Sequence, residues 1–268
     1  MTRFAILLAT TGALVSGPVL AAGMLEPLPE TMVYTPAPKS VPPAPRLVFS
    51  VLGGVKAAPE YFGSDDYEFG PSLGFKLHFL NFGNGRSFGD PDPFAPGEGL
   101  SLRGSFRYIS EREDVGTLDD IDATLEVGFG LGYEGENLSV FADLRRGFGG
   151  HEGFVVEVGG DAIYRASDRM TLTLGPRVLF GDEDYNQTYF GISTSEIGPD
   201  YKFYQPDGGL VSIGLEAGME YRLTDKLALE GALRYDNLTG HAHPSDVIAN
   251  GDNDQFTVKF GIRRAFSF

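Results

Sequence analysis

From Leu47 onward, apolar and polar residues alternate with a period of two, the signature of strands with one apolar and one polar face. In the clearest run, Ile121, Ala123, Leu125, Val127, Phe129, Leu131 and Tyr133 share one parity, and Asp122, Thr124, Glu126, Gly128, Gly130, Gly132 and Glu134 share the other. Val211 to Leu223 repeats the design, with Val211, Ile213, Leu215, Ala217, Met219, Tyr221 and Leu223 set against Ser212, Gly214, Glu216, Gly218, Glu220 and Arg222. Eight further segments carry the pattern, at 47–57, 68–80, 99–110, 137–147, 153–165, 169–181, 226–237 and 255–268. Each is about eleven residues or longer, enough for a tilted strand to cross a bilayer and roughly twice an ordinary globular strand.

A sheet that spans a bilayer must close, because an open edge leaves backbone groups unpaired in hydrocarbon. The expected fold class is therefore all-β: a closed antiparallel transmembrane β-barrel of about 10 strands, whose even number puts both termini on the periplasmic side. The connections fit that orientation. Short links fall at 134–137, 166–168 and 224–225, and long ones at 183–208 and 238–254, as periplasmic turns and extracellular loops should. Two fit less well: 149–153 is tight for an extracellular loop, and 81–98 is long for a periplasmic turn. Two extra strands in the latter would make a barrel of 12, although Gly83, Gly85, Gly89, Pro91, Pro93, Pro96 and Gly97 favour loop there.

Parity alone does not say which face is outside, so a soluble secreted barrel with its apolar face inward is the competing arrangement. Strand length, loop alternation and the terminal aromatic favour the membrane. The polar parity then lines a lumen, with Lys76, Arg103, Arg107, Glu126, Asp143, Arg145, Glu157, Arg177, Glu216, Glu220 and Arg234 as its expected charge network. Lys56, Asp161, Arg165, Arg222, Glu230, Asp236, Lys259 and Arg263 share that parity. Mixed signs suit side chains that pair across a lumen.

The start of the chain reads differently. Met1 to Ala22 has the form of a secretory signal: Arg3, a mostly apolar Phe4 to Leu20, then Ala21 and Ala22. Residues 23–46 hold Pro27, Pro29, Pro36, Pro38, Pro42, Pro43 and Pro45, which exclude a helix interior or central strand and predict an extended periplasmic linker. Deletion of Glu26 to Pro45 is expected to weaken capture of any cell-wall partner that the linker reaches.

Composition narrows the chemistry. A net charge of −16 excludes nucleic acid, which needs a basic surface. The absence of cysteine removes disulfides, thiolate nucleophiles and cysteine-ligated zinc. His78 sits near the periplasmic end of a strand, and His151, His241 and His243 in loops, with no histidine and serine paired at the lipid face; no catalytic set and no cofactor are expected. His241, His243 and Asp246, or Asp252 to Asp254, are weak metal signals without EF-hand spacing, so no metal site is assigned.

The final residues Phe260, Ile262, Arg264, Phe266 and Phe268 share one parity. They resemble the C-terminal signal read by the barrel-assembly machinery, with Arg264 where that pattern prefers an aromatic. The loops are more specific. Pro59 to Tyr67 (with Tyr61, Gly63 and Ser64), Arg145 to Gly153 (with Gly149, Gly150, His151 and Gly153), Tyr189-Phe190-Gly191-Ile192-Ser193, Gly208-Gly209 and Arg234 to Leu238 occur in an order that resembles the MipA/OmpV family of outer-membrane proteins. Each fragment has a plainer reading: the glycines supply positive φ in a tight turn, and Tyr61 and Tyr189 are interfacial aromatics.

The resemblance implies residence in the cell outer membrane, among lipid and lipopolysaccharide. It further implies a non-enzymatic scaffold that binds a murein lytic transglycosylase and links it to a penicillin-binding synthase, with no catalytic residues. A narrow diffusion channel for small solutes is the alternative that a polar lumen permits, although small barrels are filled by their own side chains.

Overall fold

The computed structural model describes residues 45–268. The signal peptide expected at 1–22 and all but the end of the linker expected at 23–46 lie outside the described residues.

Long strands follow the alternation closely: β1 (Leu47–Pro59), β2 (Tyr67–Asn81), β4 (Gly99–Ile109), β5 (Thr124–Glu134), β6 (Leu138–Gly149), β7 (Phe154–Ser167), β8 (Met170–Gly181), β9 (Gly209–Thr224), β10 (Leu227–Leu238) and β11 (Asp254–Ser267), with a short β3 (Ser87–Gly89) after β2. Every pairing is antiparallel, and β1 joins both β2 and β11. Val51, for example, has Phe75 on one side and Arg264 on the other. The sheet thus closes as a barrel of ten spanning strands. The 12-strand alternative is corrected: within 81–98 only β3 forms, a three-residue strand against Phe79–Asn81, because the prolines beyond it have no N–H for a ladder.

Two faces emerge with opposite chemistry. Phe69, Leu100, Tyr164 and Phe129 are 84%, 71%, 67% and 61% exposed, whereas Glu126 and Arg145 are 0% and 3% exposed. The apolar parity is the outer belt, and the soluble arrangement is excluded on that ground, since an apolar surface wrapped around a whole barrel is compatible only with lipid.

The hydrophobic core lies not inside the barrel but over its extracellular end. Ile109, Leu118 and Ile121 meet Tyr185, Tyr189 and Phe190 of α1 (Glu183–Phe190) and Val247 and Ile248 of α2 (Asp246–Ala249). Asp182 starts α1 by accepting the N–H of Tyr185 at 3.0 Å, and Glu183 and Asp184 complement the helix dipole. Tyr185 and Tyr189, one turn apart, share the buried face. The strand expected from Ile121 begins at Thr124: Ile121 instead bridges Arg112 and is buried in this cover. Alternation ran past the wall because the loop buries its apolar side in a second core.

Candidate functional site

The lumen is cross-linked by ion pairs reaching between strands. Arg103 grips Asp143 with two bonds of 2.9 and 2.5 Å, and Ser105 donates to the same carboxylate at 2.9 Å. Arg145 lies between Glu126 at 2.7 Å and Glu157 at 3.0 Å. Arg234 completes a chain by pairing with Glu157 and, at 2.5 Å, with Asp236. Arg177 bridges Asp161 at 2.8 Å and Glu216 at 3.0 Å, Lys76 meets Glu134 at 2.6 Å, and Arg263 holds Glu230. Buried charges persist only when so paired.

The sequence-derived network is thus largely brought together, with two exceptions. Glu220 and Arg107 have no ion-pair partner among the described residues; Arg107 instead stacks over Phe62 at 5.1 Å. Sequence reasoning missed Phe141, an aromatic on the polar parity of β6, which lies 3.9 Å from the guanidinium of Arg103 and 5.0 Å from that of Arg177. Its break in the alternation was the available signal.

Ser50 and His78 also come together, at 2.8 Å. Ser50 is sealed from solvent and also accepts a bond from Arg263 at 2.9 Å. These bonds tie β1 to β2 and β11 inside the wall.

The loop motifs converge on the extracellular cover. Tyr189 is buried, not interfacial, and its hydroxyl donates to Thr124 at 3.1 Å. Phe190 is fully buried, and Gly191 ends α1 where a side chain would strike Gln187. Burial pushes the phenols of Tyr185 and Tyr189 above their ordinary range, so both remain protonated. Tyr61 lies in the first loop with Ser64, which accepts the N–H of Asp66 at 3.1 Å. Gly63 has φ of 94° and approaches Ile248.

His151 joins cover to lumen: its ring packs edge-on against Tyr185 and Tyr189 and comes within 3.5 Å of Glu126. Of the glycines beside it, only Gly149 has positive φ, 115°. Gly150 and Gly153 are needed for close approach, since a Cβ would lie 2.0 Å from the Asp122 carbonyl and 2.4 Å from the Asp182 carboxylate.

The periplasmic mouth is crossed too. From β3 the chain runs beneath the barrel to the β9 wall, where Asp92 lies 3.8 Å from Arg222 and Phe94 sits 5.1 Å from the same guanidinium. This strap, 82–98, is mostly exposed.

The sequence model of the MipA family, described as MltA-interacting protein MipA, matches residues 51–266, from within β1 to the end of β11. The chain belongs to the MipA family. This MipA-family barrel resides in the outer membrane, with the ten-strand wall and apolar belt described above. No curated protein matches it in sequence. Among solved structures it is similar to an outer-membrane channel from Pseudomonas putida F1, with 12% identity over 87% of this chain and 99% of that one and a TM-score of 0.42. OmpT of Vibrio cholerae is 9% identical over 82% of this chain and 96% of its own, with a TM-score of 0.32. Ail of Yersinia pestis is 12% identical over 82% and 99%, with a TM-score of 0.28.

Proposed function

We propose that this MipA-family barrel is a non-catalytic scaffold whose periplasmic face binds a murein lytic transglycosylase and brings it to a penicillin-binding synthase. The observation that carries this reading is the strap: an ordered, mostly exposed segment held across the periplasmic mouth by Asp92 and Phe94 against Arg222. Most loops of barrels on that side are minimal turns, and an elaborated one offers a docking surface that costs the barrel nothing in lipid. The description of the family as MltA-interacting supports the same partner class. Replacing 90–97 by a Gly/Ser linker of equal length should cut retention of a purified lytic transglycosylase on the immobilised barrel at least tenfold, with gel mobility still heat-modifiable. Undiminished retention overturns the reading.

A narrow channel is the second reading, favoured by a cavity of about 580 Å³ in the lumen. Steady currents in planar bilayers that change on Arg103→Ala would support it; a silent bilayer would remove it.

A further inference from the structure

The barrel wall has one weak seam. β4 pairs with β5 at eleven positions, but with β2 at three: Gly104 with Phe75, Arg103 with Lys76 and Leu102 with Leu77. Above these, toward the extracellular side, Tyr67–Gly74 of β2 pair only with β1, and Ser105–Ile109 of β4 only with β5. The sequence supplies a reason. Pro71 has no N–H to offer a neighbouring strand, and Gly70, Ser72 and Gly74 beside it leave little side chain to fill the space.

The lumen cavity reaches this seam. Along most strands its lining comes mainly from alternate, inward residues, but along β2 it includes Pro71 to Lys76 consecutively, and along β4 Arg103 to Ile109. Both faces of a strand border one cavity only where that cavity passes between strands. Unpaired backbone beside hydrocarbon is costly, and the structure compensates in part: Lys56 donates its ammonium to the Tyr108 carbonyl at 2.5 Å.

Two cations beside the seam also lack a direct ion pair. Lys76, Arg103, Arg145, Arg177, Arg234 and Arg263 each have a carboxylate partner, whereas among the described residues Lys56 and Arg107 have none. Both line the cavity beside the seam. Outside it, Phe69, Leu73 and Phe106 present apolar surface to the membrane. Two cations without a direct ion pair leave donors open to an anion, although Glu126 stands opposite Arg107 in the β4–β5 register, and an apolar rim opening onto lipid calls for a tail. About 580 Å³ is within the range of a single small-molecule pocket, roughly 300–1,000 Å³, and suits one chain.

We propose that the β2–β4 seam is a lateral portal through which a single-chain anionic amphiphile passes from the outer leaflet into the lumen, its head group held by Arg107 and Lys56. The chain has neither tryptophan nor cysteine, so both can be introduced as sole reporters. With Leu52→Trp in the cavity, 9,10-dibromostearate added to vesicles holding the folded barrel should quench fluorescence saturably. The methyl ester should not.

Arg107→Gln with Lys56→Gln should raise the half-saturating concentration at least tenfold. In a Ser72→Cys background, alkylation by a bulky maleimide after folding should abolish the saturable quenching, while the same label at Thr171→Cys, across the lumen, should leave it. Because the label is added to folded barrel, loss cannot come from misfolding. Equal quenching by acid and ester, saturation unaffected by the Ser72 label, or a block from Thr171 alone would overturn the portal. Competition by butyrate as effective as by stearate would also overturn it, by showing a water-borne anion as the ligand.

Discussion

Arg145 is the residue on which the lumen network turns, buried between Glu126 and Glu157 with Ser105 accepting a further bond at 3.1 Å. Arg145→Ala leaves two carboxylates short of their counter-charge, a situation that costs about 3–5 kcal/mol when a buried pair is broken; urea unfolding of the refolded barrel should show that loss. Glu196 makes a second prediction. Burial pushes its carboxyl upward, but the N–H groups of Asp119 and Ser193, at 2.8 and 2.6 Å, and the nearby Arg112 outweigh that and hold it below the ordinary carboxylate range. A depressed pKa adds stability that is complete above the unfolded-state value and is lost as pH falls through the folded one. Protection of 110–123 from amide exchange should therefore decline below about pH 4, and Glu196→Gln should flatten that dependence. Which residues are charged and inward was legible from parity. Their partners were not, because Arg103 and Asp143, or Arg234 and Glu157, meet across strands distant in sequence.

At the scale of elements, ten spanning strands were legible and the extracellular cover was not. A long alternating run has few competing conformations, whereas α1 is two turns long and is held by contacts with loops far away in sequence. Asp182 as a cap followed by Tyr185 and Tyr189 one turn apart was its only local sign. Phe190 is fully buried in that cover, so Phe190→Ala should cost about 3–5 kcal/mol, confined to the cover. Limited proteolysis within 183–208 should accelerate while the wall retains its heat-modifiable mobility. The β2–β4 seam belongs to the same scale: alternation at 68–80 predicted the strand, but not that β2 pairs with β4 at three positions alone.

For the whole molecule, the outer belt is the governing feature. Leu131 is 55% exposed on β5, and a charge on that face near the bilayer midplane costs about 2–4 kcal/mol. Leu131→Arg should lower stability in lipid vesicles by that amount, and far less in detergent that admits water to the belt.

Sequence alone was sufficient for the alternation, the ten long segments that carry it and the loops by which the chain resembles its family, because each is written in residues close together along the chain; that 81–98 adds no further spanning strand came from the structure. Only the tertiary structure decided how the inward charges pair, that both mouths are covered and where the wall is left unzipped. Those are consequences of closure: once the first strand meets the last, every inward side chain acquires neighbours that no local pattern contains.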